Sequence, residues 1–81
     1  MHFVYILYSP SKSKYYIGAC EDVQKRLTKH NTNHSGFTGG VFDWEIKWVE
    51  EHTTKFDALK REKQIKGWKS RKMIEKLIVG S

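Results

Sequence analysis

The most constraining feature of this chain is a pair of short apolar runs near the N-terminus, separated by a polar turn. Residues 3–8 read Phe-Val-Tyr-Ile-Leu-Tyr, and this run of β-branched and aromatic side chains favours a buried strand. Residues 9–14 hold three serines and the only proline of the chain, which is turn composition. Residues 15–18 then predict a second strand. Two such strands form a hairpin, which brings Tyr5 and Tyr16 side by side although ten residues separate them.

A helix is predicted directly after the hairpin, over residues 23–30. Asp22 is suited to the N-cap, and Val23 and Leu27, four residues apart, form a narrow apolar stripe. Arg26 and His30 are also four apart and share a helix face. An arginine binds phosphate oxygens through its planar fork, and a phenol or imidazole can relay a proton. The simpler interpretation, tyrosines in a small sheet beside a surface arginine, stays open on spacing alone.

A polar loop and a third strand follow. Residues 31–41 contain three glycines among polar side chains and favour a loop, in which Phe37 either stacks on a base or packs against the core. Residues 43–50 alternate, with Trp44, Ile46 and Trp48 between charged residues. This period of two predicts a half-buried strand with one wet face, whose tryptophans belong to the core.

Two helices are predicted in the last third of the chain. Thr54, followed by Asp57, resembles a capping box and opens a helix that runs to about Lys66, with Gly67 as its stop. The face predicted to be buried carries Ala58, Leu59, Glu62 and Ile65. Ser70 is suited to cap a last helix over residues 71–79, whose apolar side carries Met73, Ile74, Leu77 and Ile78.

Glu62 is the most informative residue outside the hairpin, because it is a carboxylate on the apolar side of a lysine-rich helix. A buried charge is costly unless it is paired or bound to a metal. One interpretation is an ion pair with Arg26 or a neighbouring lysine. The other is a ligand for a divalent cation.

Length and charge limit the classes of protein to which this chain can belong. We expect one domain over residues 1–81. All of the net charge of +6 lies in residues 55–81, which hold nine Lys or Arg and three Asp or Glu. This basic surface indicates either a polyanionic partner or a solvated helix face. The single cysteine excludes an internal disulfide, and neither a signal-peptide pattern nor a long apolar run is present, so we expect a cytoplasmic protein without a membrane span.

The order and spacing of these residues resemble the GIY-YIG nuclease superfamily. Val4-Tyr5 and Tyr16-Ile17-Gly18 match its two motifs, Arg26 follows at the expected spacing, and the similarity extends through residues 58–66. Two positions depart: Phe3 stands where the family name has glycine, and Ala19 where some relatives have lysine. The resemblance is to the small bacterial members that consist of little more than this domain.

The resemblance implies an α+β fold with a small, three-stranded, mainly antiparallel sheet flanked by helices. It also implies hydrolysis of nucleic-acid phosphodiesters by water, with Mg²⁺ or Mn²⁺ held by Glu62. Arg26 would then steady the scissile phosphate, and either Tyr5 or Tyr16 would activate or orient the water. His30 would bind phosphate or help to move protons.

The expected partner is nucleic acid, DNA more than RNA. The cations expected to contact it are Lys63, Lys66, Lys69, Arg71 and Lys72. Two other functions remain open at this point. One is a non-catalytic nucleic-acid-binding module with a retained nuclease fold, and the other is a protein adaptor that exposes Trp44, Trp48 or Trp68.

Overall fold

The structure, a computed structural model, describes residues 1–32 and 41–80. The described residues form three strands and three helices, which confirms the α+β prediction. The elements are β1 (His2–Ser9), β2 (Lys14–Cys20), α1 (Val23–Thr32), β3 (Glu45–His52), α2 (Lys55–Gly67) and α3 (Arg71–Gly80). The predictions for Phe37 and for most of its loop lie outside the described residues. Within the described ranges, no helix has the length and apolar character needed to cross a membrane.

The sheet has the order β2-β1-β3 and is antiparallel throughout. Because β1 is central, both of its edges are paired, and both of its faces are covered. Val4 and Ile6 face the side covered by α2 and α3, where Ile65 and Ile74 join them. Tyr5 and Leu7 face the opposite side, which α1 covers incompletely, because none of the α1 side chains is fully buried.

The β1–β2 hairpin is fixed by one carboxylate from a distant part of the chain. Asp43 accepts hydrogen bonds from the Ser9 hydroxyl at 2.7 Å and from the Ser11 hydroxyl at 2.6 Å. The backbone N–H of Ser11 also donates to this carboxylate, at 2.8 Å. These bonds lower the pKa of Asp43 below its usual value, the Ser11 hydroxyl having the largest effect. Ser13 makes the turn with a positive φ of 53°.

Strand β3 contradicts the prediction that Trp44, Ile46 and Trp48 share one face. Ile6 pairs with Trp48, but the next residue of β1, Leu7, pairs with Ile46. Lys47 is therefore the extra residue of a β-bulge, and a one-residue shift exchanges the two faces of a strand. Trp44 and Ile46 pack on the α1 side, and Trp48 packs on the α2 side.

The caps of α1, α2 and α3 agree with the sequence. Asp22 accepts from the Lys25 N–H at 3.1 Å, Thr54 from the Asp57 N–H at 3.1 Å, and Ser70 from the Met73 N–H at 3.3 Å.

Two details of the last two helices differ from the prediction. Leu59 is 47% exposed and Met73 is 46% exposed, so neither belongs to the core. Gly67 is the last residue of α2, in agreement with its predicted role as the stop, although the left-handed conformation is not found there. Lys69, with a φ of 48°, takes the left-handed conformation instead and redirects the chain into α3.

Candidate active site

The centre of the candidate site is Tyr5, which lies over Gly18. The two residues are partners in the β1–β2 ladder, and Tyr5 is only 2% exposed. A Cβ atom on Gly18 would lie 2.6 Å from the Tyr5 ring carbon Cζ and closer still to the hydroxyl oxygen. No side chain fits there, so the glycine of the second motif makes room for the phenol of the first. A glycine inside a strand is a known sign of such a close approach.

Tyr16 and His30 complete a cluster of three rings on this face. Tyr16 pairs with Leu7, which places it diagonally from Tyr5 with 6.3 Å between the ring centroids. The Tyr16 and His30 rings are 4.6 Å apart. The Tyr5 hydroxyl is hydrogen-bonded to His30 Nε2 at 3.2 Å. The structure therefore brings these three predicted residues into direct contact.

Asn31 fixes the end of α1 and with it the position of His30. Its Oδ1 accepts from the backbone N–H of Trp44 at 2.8 Å, and its Nδ2 donates to the Trp44 carbonyl at 3.2 Å. Both backbone polar groups of the buried residue Trp44 are thus satisfied by a single side chain. The sequence analysis did not assign this positioning role to Asn31, because its partner lies thirteen residues away in a segment without regular structure.

Burial keeps both Tyr5 and His30 neutral. Burial is the largest of several effects that raise the pKa of Tyr5 well above its usual value; the neighbouring Tyr16 and Cys20 add to it. Burial also lowers the pKa of His30, and the positive charges of Arg26 and Lys29 lower it further. At neutral pH the pair is therefore a protonated phenol and an imidazole with one ring nitrogen able to accept a proton.

Arg26 lies one turn before His30 on α1 and is exposed. It borders a cleft of about 800 Å³ between α1 and the first turns of α2. Its positive charge lowers the pKa of Tyr5, in opposition to burial. The guanidinium is thus accessible to an anion in the cleft and close enough to act on the phenol electrostatically.

Glu62 lies on α2, with 16% of its side chain exposed, and its charge raises the pKa of Tyr5. Its Oε2 atom is 2.6 Å from Nζ of Lys66, one helical turn later. The structure therefore contains the ion pair with a neighbouring lysine, one of the two interpretations of Glu62. The described residues contain no group of three or more His, Cys, Asp or Glu side chains placed to hold a metal ion.

The five cations predicted to bind nucleic acid differ in their surroundings. Lys66 is paired with Glu62. Arg71 lies over the rings of Tyr8 and Tyr15, at 5.7 and 5.3 Å, and donates to the Ser13 carbonyl at 2.7 Å. Arg71 thus joins α3 to the hairpin. The other three, Lys63, Lys69 and Lys72, are exposed.

The tryptophans do not form the exposed patch that a protein adaptor would need. Trp44 is 2% exposed and Trp48 is 7% exposed. Trp68 is half-buried and packs against the α2-side core, with the Arg61 guanidinium 5.8 Å from its ring centroid.

Comparison with known proteins gives consistent matches. The GIY-YIG catalytic domain matches residues 1–76. A UPF0213 protein of Staphylococcus epidermidis is 39% identical over 66 residues, 80% of this chain and 79% of the relative. A UPF0213 protein of Halobacterium salinarum is 34% identical over 67 residues, 82% of this chain and 86% of the relative. The solution NMR structure of a UPF0213 protein from Bacillus halodurans gives a TM-score of 0.61 at 28% identity, covering 96% of this chain and 82% of that one.

Proposed function

The chain belongs to the GIY-YIG catalytic-domain family, and we propose that it is a metal-dependent endonuclease that hydrolyses phosphodiester bonds of nucleic acid, DNA in preference to RNA. The family implies a nuclease-type function. The observation that carries the proposal is the contact between Tyr5, seated over Gly18, and the neutral imidazole of His30. A buried phenol and a neutral imidazole in direct contact provide a path for a proton, which a purely structural cluster does not need.

Proton transfer is the role we assign to Tyr5 and His30 together. With its pKa raised by burial, Tyr5 does not ionise at neutral pH and is a poor general base alone. The neutral imidazole of His30 can instead accept a proton: the attacking water would give a proton to the Tyr5 oxygen while the Tyr5 hydroxyl proton moves to His30 across their hydrogen bond. Tyr16, whose ring lies against His30, would orient the attacking water.

Phosphate binding is the role we assign to Arg26. It is exposed at the cleft, one helical turn from His30, and its planar fork matches two phosphate oxygens. A phosphate held there lies beside the three rings, so that binding and proton transfer take place on one face of α1. The same charge helps to keep His30 neutral.

One carboxylate, Glu62, is the residue we propose to hold the metal. Mg²⁺ is commonly bound through one or two carboxylates, several waters and the phosphates of the substrate, and a single glutamate fits that donor set. Bound there, the cation would stabilise the charge that develops on the phosphate and on the leaving oxygen. Lys66 already occupies the carboxylate, so the cation and the ammonium group would compete for Glu62.

The same ion pair favours the second candidate, a nucleic-acid-binding module without catalysis. A carboxylate that is neutralised by Lys66 needs no metal to be stable. The two candidates differ in what a metal does: the enzyme cleaves only with it, whereas the module binds equally well with and without it.

The test is cleavage of supercoiled plasmid, single-stranded DNA and RNA in Mg²⁺, Mn²⁺ or EDTA. We expect metal-dependent cleavage that falls by roughly 10³-fold in Glu62→Gln, since such a loss corresponds to about 4 kcal/mol of transition-state stabilisation. Glu51→Gln, an exposed carboxylate on β3, is the matched control and should cleave like the wild type. Salt-sensitive binding without cleavage of any substrate would establish the binding module instead.

A further inference from the structure

The cleft beside Arg26 has a lining that the proposed catalysis does not account for. It extends from the end of β2, at Ala19 and Cys20, between α1 and the start of α2. Its volume of about 800 Å³ is at the upper end of the range for ligand pockets, about 300–1,000 Å³. The charged residues on its walls are four cations and two acids: Lys25, Arg26, Lys29, Lys55, Glu21 and Asp22.

The two acids already have partners within the protein. Asp22 caps α1 by accepting the Lys25 N–H at 3.1 Å, and Glu21 lies 3.9 Å from Nε2 of His2. In the parts of the chain that the structure describes, no carboxylate forms an ion pair with Lys25, Lys29 or Lys55. With four cations against two acids, the walls of the cleft keep a net charge of 4 − 2 = +2.

The backbone adds to the positive potential of this cleft. The first turns of both α1 and α2 border it, at Asp22 and Lys25 on one side and at Lys55 and Ala58 on the other. Each helix N-terminus carries about half a positive charge. A concave surface with an excess of charge of one sign focuses the field and attracts ions of the opposite sign more strongly than a convex surface with the same charges.

The five cations predicted to bind nucleic acid, in the last third of the chain, have different surroundings from the cations of the cleft. Two of the five predicted to bind nucleic acid make contacts within the protein, Lys66 with Glu62 and Arg71 with the Ser13 carbonyl. Lys25 and Lys29 are one turn apart, about 6 Å along the helix, and Arg26 lies between them in sequence. The cleft therefore continues the phosphate site at Arg26, whereas Lys66 and Arg71, two of the five predicted cations, are engaged within the protein.

We propose that the sugar–phosphate backbone of the nucleic acid passes through the cleft between α1 and α2, where Lys25, Lys29 and Lys55 bind phosphates next to the one held by Arg26. This inference rests on the proposed function, because it concerns the same substrate. The inference predicts the strength and the salt dependence of DNA binding, and the proposed function predicts cleavage. The two can be tested separately, because phosphate contacts determine binding whether or not cleavage occurs.

The experiment compares two triple variants with the same loss of charge. One is Lys25→Gln/Lys29→Gln/Lys55→Gln in the cleft, and the other is Lys63→Gln/Lys69→Gln/Lys72→Gln on α2, on α3 and in the turn between them. Binding of a fluorescent 30-nucleotide DNA, single-stranded or duplex, is measured in EDTA over a series of salt concentrations. Circular dichroism confirms that both variants are folded.

We expect the cleft variant to bind about tenfold more weakly or worse at 100 mM salt, with a salt slope reduced by about 2 to 3, because each phosphate contact contributes about 0.7 to 0.9. The variant on α2 and α3 should keep most of the wild-type slope. Equal losses in both variants, a larger loss on α2 and α3, or no DNA binding by the wild type would each overturn the inference. Since EDTA prevents metal-dependent cleavage, a failure of Glu62→Gln to abolish activity would leave this result intact.

Discussion

Both faces of strand β1 are buried, but the side chains on the two faces differ in chemical character. On the α2 side, Val4 and Ile6 meet Ile65 and Ile74, and the contacts are aliphatic. On the α1 side, Tyr5 meets Tyr16 and His30, which carry polar atoms into the interior. Alternate residues of a single strand thus serve the stability of the fold and the candidate site separately.

The difference between the faces also appears in how they are covered. Helix α2 fully buries Ala58 and Ile65, whereas α1 fully buries none of its side chains. Polar groups can be kept beneath α1 because they have partners, such as the Tyr5–His30 hydrogen bond and the Asn31 contacts with Trp44. The α2 face therefore provides most of the hydrophobic stabilisation. The α1 face is covered less completely, and the candidate site on it is closer to solvent. This division predicts that substitutions on one face change stability and on the other change activity.

The largest effect on stability should come from Ile65→Ala. Ile65 is fully buried in the α2-side core, and removing its methyl groups costs about 2–5 kcal/mol in transfer energy and cavity formation. That is a large part of the roughly 4–12 kcal/mol expected for a domain of this size. Urea denaturation measures the loss, and cleavage per folded molecule should not change. A loss of activity in Ile65→Ala protein that is fully folded would show that the two faces do not serve stability and activity separately.

The next effect should come from Gly18→Ala, which inserts a methyl group into the space occupied by the Tyr5 phenol. The ring must move, at a cost of about 1–3 kcal/mol in stability, and cleavage should fall about 100-fold because the phenol no longer meets His30 correctly.

Gly67→Ala is the control for this substitution. A Cβ atom at Gly67 meets no atom within 4 Å, so the variant should retain activity and gain up to about 1 kcal/mol of stability. Wild-type activity in Gly18→Ala would mean that the position of Tyr5 does not matter.

A smaller effect is expected from Tyr5→Phe, and it depends on pH. Loss of the hydrogen bond to His30 costs about 0.5–1.5 kcal/mol at neutral pH. Because folding raises the pKa of Tyr5, its contribution is present below the unfolded value of about 10 and is lost as the pH rises above it. As the pH rises above 10, the free energy of unfolding of the phenylalanine variant should therefore decrease less than that of the wild type.

The dependence of stability on pH in the acid range is the internal control. Folding lowers the pKa of His30, so stability decreases as the pH falls below the unfolded value of about 6.5. This decrease should persist in Tyr5→Phe, because burial, Arg26 and Lys29 cause the shift. Denaturation curves between pH 5 and pH 11 measure both arms. Parallel wild-type and variant curves above pH 10 would contradict the buried, protonated state of Tyr5.

The smallest effect should come from Arg71→Lys, which keeps the charge but loses the planar fork. The contacts with the Tyr8 and Tyr15 rings and with the Ser13 carbonyl should be lost, and stability should decrease only slightly because Arg71 is exposed. DNA affinity should stay within about twofold of the wild type, because the charge is unchanged and the guanidinium serves α3 and the hairpin. A larger loss of affinity with unchanged stability would place Arg71 on the nucleic acid.

Much of the fold could be predicted because its signals are local. The hairpin follows from two apolar runs around a polar turn, and the three helices begin at residues whose side chains cap them in the structure, such as Asp22 and Thr54. The contact between Tyr5, Tyr16 and His30 follows from the hairpin and from the spacing along α1. The metal ligand was one of two interpretations of Glu62 from its position on the helix; the family resemblance implies it, and it stays a prediction.

Other features depend on contacts between distant residues, and local patterns did not predict them. The bulge at Lys47 moves Trp48 to the opposite face from Trp44, although the alternation of the sequence is regular. Leu59 has the spacing of a core residue but is exposed and lines the cleft between α1 and α2. The partner of Asn31 and that of Asp43 are likewise fixed only when strand β3 is in place.

The sequence by itself determined the elements, their caps and the residues that could carry chemistry, because propensity, periodicity and capping act over a few neighbouring positions. Only the tertiary structure decided which of those residues are neutral, which are paired and which line the cleft. Burial raises the pKa of Tyr5 and lowers that of His30, and packing of α2 leaves only 16% of the Glu62 side chain exposed. These properties depend on how much water each group loses and on which charges surround it, and both are set by residues far apart in the chain.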